Sequence, residues 1–124
     1  MKPVSDSLLV NGAGKFICSM AVPARPVECV DFKAEDRLAV FGSDVEKEPI
    51  RLRVVNVGSL AGFTLGLTSG AFTPLTLDGG FPIRGELSNS VGIVYPGERL
   101  DLLLSADILS RKNPPHLFIN LDPE

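Results

Sequence analysis

Glycine and proline supply 12 and 10 of the 124 positions. Proline inside a helix removes a backbone donor and clashes with the preceding turn, and glycine there costs about 1 kcal/mol relative to alanine. A helical chain of this length does not readily carry so many breakers. Their abundance predicts many short strands joined by tight turns, an all-β fold. Apolar residues make up 44% and charged residues 22% of the chain. That excludes the low hydrophobicity and high charge of a disordered segment. The length suits one domain, read as 1–124, able to bury roughly two-thirds of its unfolded surface around one core.

The clearest strand is Ile50 to Val57. Ile50, Leu52 and Val54 fall on one face by period two, and Arg51 and Arg53 on the other. Beyond Val54 the run turns apolar on both faces, which predicts that the strand enters the core. Shorter strands are expected at Leu8–Val10, Val27–Phe32, Leu38–Phe41, Phe63–Leu67, Phe72–Leu77, Val91–Tyr95, Leu100–Ser105 and Leu117–Leu121. Turn residues separate them. Asn11 and Gly12 both tolerate positive φ, Thr68-Ser69-Gly70 and Asp78-Gly79-Gly80 are turn clusters, and Pro96-Gly97 fits the centre of a type II turn. About nine strands at a spacing of roughly 8–12 residues is the pattern of a sandwich or barrel. A turn or two of helix is expected over Ser105–Lys112, and Glu46-Lys47-Glu48 reads as a solvated loop.

Net charge is −3, with no basic patch to neutralise phosphates. Aromatics are too few for a base-stacking platform, so nucleic acid is not an expected partner. No apolar run approaches the roughly 20 residues of a membrane-spanning helix, and no membrane partner is expected. The first residues, Met1 to Ser7, lack the apolar core of a signal peptide.

Candidate chemistry is sparse. The single histidine, His116, cannot by itself build a zinc or copper site, which needs several converging imidazole or thiolate ligands. It reads as a surface residue beside Pro114-Pro115. Cys18 and Cys29 stand eleven positions apart. A disulfide would close a loop of about twelve residues and stabilise by about 3 kcal/mol in the chain-entropy picture. Two buried, reduced thiols are the alternative. Gly12-Ala13-Gly14-Lys15 lacks the spacing of a phosphate loop and reads as a hairpin turn. Asp78 and Asp101 could pair as acid and base, but each lies beside a turn, where a backbone bond is the more common use of a carboxylate. Arg99 and Asp101 share one strand face and are expected to pair locally. A metal-free site of Asp, Arg and Tyr95 has no spacing to support it.

Several segments together resemble the middle domain of multicopper oxidases. Asp6-Ser7-Leu8-Leu9-Val10-Asn11-Gly12 with Gly14 is similar to its "D-x-L-L-I-N-G-x-G" opening. Arg51 to Gly58 resembles its "R-x-R-x-I-N-x-G" strand. Phe63-Thr64-Leu65, Asp78-Gly79 and Pro96 to Leu104 look like its later "F", "D-G" and "P-G-E-R-Y-D-V-L-L" landmarks. The stretch from Cys18 to Cys29, with Pro23, Arg25 and Pro26, looks closest to fungal laccase-like and ascorbate-oxidase-like members. The likeness spans residues 5 to 121. Two departures stand out: Leu100 replaces the usual Tyr, and Ser69-Gly70-Ala71 lies where a His often follows the Gly.

The resemblance implies a cupredoxin-like Greek-key sandwich or barrel, here lacking its first strand or strands. It implies that copper belongs to neighbouring domains of a secreted parent, with no cofactor and no catalytic or metal-binding residue in this chain. The parent would couple substrate oxidation to reduction of dioxygen to water. Neighbouring cupredoxin domains are the implied partners. Asn11, Gly12, Asn56, Gly58, Asp78, Gly79, Pro96, Gly97, Arg99 and Asp101 then form the fold. If opening strands are missing, a sheet edge or core face near residues 1–10 is left open, and the chain is expected to self-associate. A stand-alone, non-catalytic binding or scaffold module of the same fold is the alternative.

Overall fold

The computed structural model describes residues 7–15, 17–21, 27–31, 48–83, 85–109 and 115–122. The expected strand at Leu38–Phe41 and all but Glu48 of the charged loop lie outside them. The chain divides into two compact units, one of residues 5–42 and one that includes Ser43–Glu124.

In the smaller unit, β1 (Leu9–Val10) and β2 (Ala13–Gly14) form an antiparallel hairpin. Its turn is Asn11-Gly12, with φ of 51° and 78°. Two positive φ values match the twist of the strands they join, and asparagine followed by glycine adopts them at little cost. A 3-10 turn follows at Cys18–Met20, and Cys18 is disulfide-bonded to Cys29. The expected strand at Val27–Phe32 is not formed over residues 27–31, and Phe32 lies outside the described residues. Val27 and Val30 are exposed. Without a buried face, the two valines have nothing to hold the segment in a sheet.

Among its described residues the larger unit is all-β apart from one short helix. The strands are β3 (Ile50–Val55), β4 (Phe63–Leu67), β5 (Phe72–Leu77), β6 (Phe81–Pro82), β7 (Ser90–Val94), β8 (Arg99–Leu104) and β9 (Leu117–Leu121), with α1 at Ala106–Leu109. They form a four-stranded antiparallel sheet ordered β3-β8-β5-β6 and a three-stranded one ordered β7-β4-β9. Among these strands only β5 and β6 are consecutive and paired; every other connection changes sheet.

The two sheets share one core, as in a β-sandwich. Leu65 and Leu67 of β4 cluster with Phe72 of β5 and Leu100, Leu102 and Leu104 of β8. Ile50, Leu52 and Val54 pack against this cluster, as do Val91 and Ile119. The period-two face of β3 therefore points inward as expected. Its continuation does not: the strand ends at Val55, and Val57 is 87% exposed. The residue that turns inward at this end is Asn56.

Two local features follow from side-chain size. Gly66 of β4 lies opposite Phe118 of β9, and a Cβ on Gly66 would stand 2.3 Å from the ring. The ring covers the glycine, so this position tolerates no side chain while Phe118 stays in place. Pro74 lies within β5, where a missing donor normally disrupts pairing. Phe72 exchanges both backbone bonds with Ser88, on the side away from β8. By alternation the missing N–H of Pro74 also faces away from β8, and the ladder shifts register just beyond it.

Candidate functional site

The residues singled out in the sequence gather into three clusters in the larger unit and one in the smaller. Each cluster is built by strand register.

The charged cluster lies on the outer face of the four-stranded sheet. Asp101, on β8, is directly opposite Arg53 of β3 and Thr76 of β5. Arg51, two residues from Arg53 on the same face, donates to Asp101 Oδ2 through Nε at 2.9 Å and through Nη2. Arg53 Nε stands 3.7 Å from the same oxygen. The hydrogen bonds from Arg51 hold the Asp101 carboxyl below its ordinary pKa. The positive charges of Arg51 and Arg53 and a bond from Thr76 act in the same direction, against partial desolvation. The carboxylate is 11% exposed, whereas its two arginines are 52% and 80% exposed. This is a fixed acceptor in the sheet, poorly suited to take a proton. The expected local partner, Arg99, is engaged elsewhere. Its Nη1 donates to Gly97 O at 2.9 Å. Arg99 and Asp101 share a strand, but the β3 arginines reach the carboxylate first.

The second cluster closes one end of the sandwich around Asn56, which is 5% exposed. Its Nδ2 donates to Ala61 O and to Val94 O, both at 2.9 Å, and its Oδ1 accepts from the Gly58 N–H at 2.9 Å. Its backbone N–H donates to Glu98 O, and its carbonyl accepts from the Gly97 N–H. Asn56 thus ties the end of β3 to β7 in the other sheet and to the turn before β8. That turn is Tyr95-Pro96-Gly97-Glu98. The Glu98 N–H donates to Tyr95 O at 3.0 Å, and Gly97 has φ of 83°. Positive φ at the third position of a hydrogen-bonded turn is the type II signature, as the sequence predicts. Glu98 Oε2 accepts from the Tyr95 N–H and locks the turn from its side chain.

The third cluster is the β5–β6 turn. Asp78, Gly79 and Gly80 have φ of 44°, 87° and 124°. Asp78 Oδ1 accepts from the Arg99 N–H, and the Asp78 N–H donates to Arg99 O. Asp78 therefore clamps a turn, and Asp101 anchors arginines; each carboxylate has its own partners. The smaller unit holds Asn11, Gly12 and the Cys18–Cys29 pair, where the structure selects the disulfide over free thiols.

His116 is exposed. Its backbone exchanges bonds with Thr68, donating to Oγ1 and accepting from the Thr68 N–H. Among the described residues, no three His, Cys, Asp or Glu side chains stand together as metal ligands. The chain has one imidazole, and its two cysteine sulfurs are bonded to each other.

The reach of Asn56 across the sandwich and the pairing of Arg51 and Arg53 with Asp101 were not readable in the sequence. Period two placed the arginines on the outer face of β3. Only the pairing of β3 with β8, a contact 50 residues long in sequence, brings the acid to them. No family model, curated protein or solved structure matches the chain.

Proposed function

We propose that this chain is the copper-free middle domain of a multicopper oxidase, spacing and framing copper-bearing neighbours and carrying out no redox chemistry itself. One observation carries the reading. Two segments that separately resemble that family's landmarks, Arg51–Gly58 and Pro96–Leu104, lie side by side. Their strands pair along six register positions, from Ile50 opposite Leu104 to Val55 opposite Arg99. Asn56 and Gly97, each in one of those motifs, then bond to each other at the end of the ladder. Residues held in one hydrogen-bonded unit explain why both motifs would be kept together. Two antiparallel sheets around one core suit the sandwich that the family implies. In this reading the family copper lies in the flanking domains, and no step of the oxidation passes through this chain.

Titration of the purified chain with copper, followed by absorption in the blue thiolate band, tests the absence of a redox centre. No band is expected, and a blue band overturns the proposal. The coding sequence on either side of the chain supplies the second test. Histidine-rich segments on both sides support an oxidase parent. Their absence favours the stand-alone binding or scaffold module instead.

A further inference from the structure

We infer that β9 is a strand-addition edge, and that its occupant is β9 of a second copy, antiparallel and centred on Ile119. The inference does not rest on the oxidase reading. It begins with the direction of the backbone groups. The Thr68 N–H donates to His116 O, and the Asp122 N–H donates to Gly62 O. Both contacts belong to the same β4–β9 register as the strand pairs. In an antiparallel ladder, hydrogen-bonded and non-hydrogen-bonded pairs alternate. Residues 116, 118, 120 and 122 therefore face β4 with their backbone groups. Leu117, Ile119 and Leu121 turn theirs outward, and among the described residues β9 pairs with β4 alone.

The other three edges of the two sheets carry devices that discourage pairing. β3 bears Arg51 and Arg53, β6 is two residues long and ends in Pro82, and β7 contains Gly92 beside a register shift. Charge, proline, shortness and irregularity are the usual protections of an exposed edge. β9, Leu-Phe-Ile-Asn-Leu, has none of these. Two of its core-side leucines also remain uncovered, Leu117 at 43% and Leu121 at 36% exposed.

The strand is complementary to itself. With Ile119 opposite Ile119 of the second copy, Leu117 stands opposite Leu121. Every outward N–H then meets an outward C=O. The exposed leucines cover each other on the core side, and Phe118 lies beside Asn120 on the other face. At the ends His116 comes opposite Asp122. No like charges meet. A twofold axis through Ile119 closes the contact, so it ends in a dimer with one continuous sheet across both copies.

Light scattering coupled to size exclusion should give the unmodified chain twice its 13.2 kDa mass. Leu117→Lys with Leu121→Lys puts ammonium groups opposite each other twice and should return the mass to one copy. Leu117→Lys with Leu121→Glu places opposite charges there and should restore the dimer. Within one copy these positions are four residues apart on a strand and do not touch, so only the intermolecular register distinguishes the variants. Hydrogen exchange on the unmodified chain provides a readout that does not depend on variant folding. The amides of Leu117, Ile119 and Leu121 should gain protection as concentration rises. A monomeric mass throughout the concentration series overturns the inference. So do a lysine pair that stays dimeric, a lysine–glutamate pair no heavier than the lysine pair, or exchange at those amides that ignores concentration.

Discussion

Every polar atom of the Asn56 side chain is engaged, and its partners lie in two segments, the connection from β3 to β4 and the end of β7. Such a residue is expensive to replace, because truncation leaves carbonyls without a donor in a site that excludes water. Asn56→Ala should destabilise the chain by about 2–3 kcal/mol, measured by denaturant unfolding. Asn56→Asp separates the donor role from simple packing. It preserves shape, but its carboxylate cannot donate and faces the oxygens of Ala61 and Val94. At neutral pH it should be the more damaging of the two, and milder in acid, where the protonated acid regains one donor. An aspartate variant as stable as the parent at neutral pH would show that the amide donors contribute nothing. The sequence placed Asn56 within a strand and, by resemblance, among the fold-forming residues; its bond to the Gly58 N–H is a short-range one. Its reach to Val94, 38 positions away, depends on the stacking of two sheets, which no local pattern encodes.

At the scale of the elements, the legible strands were those whose two faces differ, or whose ends are punctuated. β3 alternates cleanly over Ile50–Val55, and Phe63–Leu67, Phe72–Leu77 and Leu117–Leu121 fall where expected, bounded by turn residues. The two-residue strands β2 and β6 were missed because two residues cannot display a period. Residues 27–31 failed for a different reason: Val27 and Val30 are interrupted by Glu28 and Asp31, and both valines are exposed. Pairing between strands was not legible, and the consequence is sharpest at Asp101. Held ionised by Arg51, its carboxyl has a lowered pKa in the folded chain. A carboxylate of about 3.9 when unfolded and lower when folded favours the folded state above the unfolded value, and that contribution disappears as pH falls through the folded value. The acid limb of the stability curve should therefore be shallower in Asp101→Asn than in the parent. Arg51→Ala should flatten it more than Arg53→Ala, because Arg51 donates two bonds and Arg53 stands 3.7 Å away. Thermal unfolding between neutral pH and about pH 3 reads this directly, and superimposable acid limbs would remove Asp101 from the account.

For the whole molecule, the two compact units draw on different sources of stability. The larger has a shared core in which Phe72 and Leu102 are completely buried. The smaller, over Ser5–Gly42, is below the roughly 40 residues at which a chain usually needs a crosslink or metal to hold its shape. In the smaller unit the hairpin residues Leu9 and Val10 are largely exposed, and the Cys18–Cys29 disulfide supplies the covalent constraint. The buried cluster of the larger unit joins strands of both sheets, whereas the Cys18–Cys29 crosslink of the smaller unit rests on a pairing the sequence left open. Reduction, or Cys18→Ser with Cys29→Ser, should therefore act locally. The constraint removed is about 3 kcal/mol in the chain-entropy picture. Amides in the Leu9–Gly14 hairpin and the Cys18–Met20 turn should lose exchange protection, while those of β8, centred on Leu102, keep theirs. Leu102→Ala should do the reverse, costing about 2–5 kcal/mol through the cavity it leaves and accelerating exchange across β3, β5 and β8. Equal loss of protection in β8 and in the hairpin on reduction would mean that the two units unfold as one, with the disulfide serving the sandwich as much as the segment it closes.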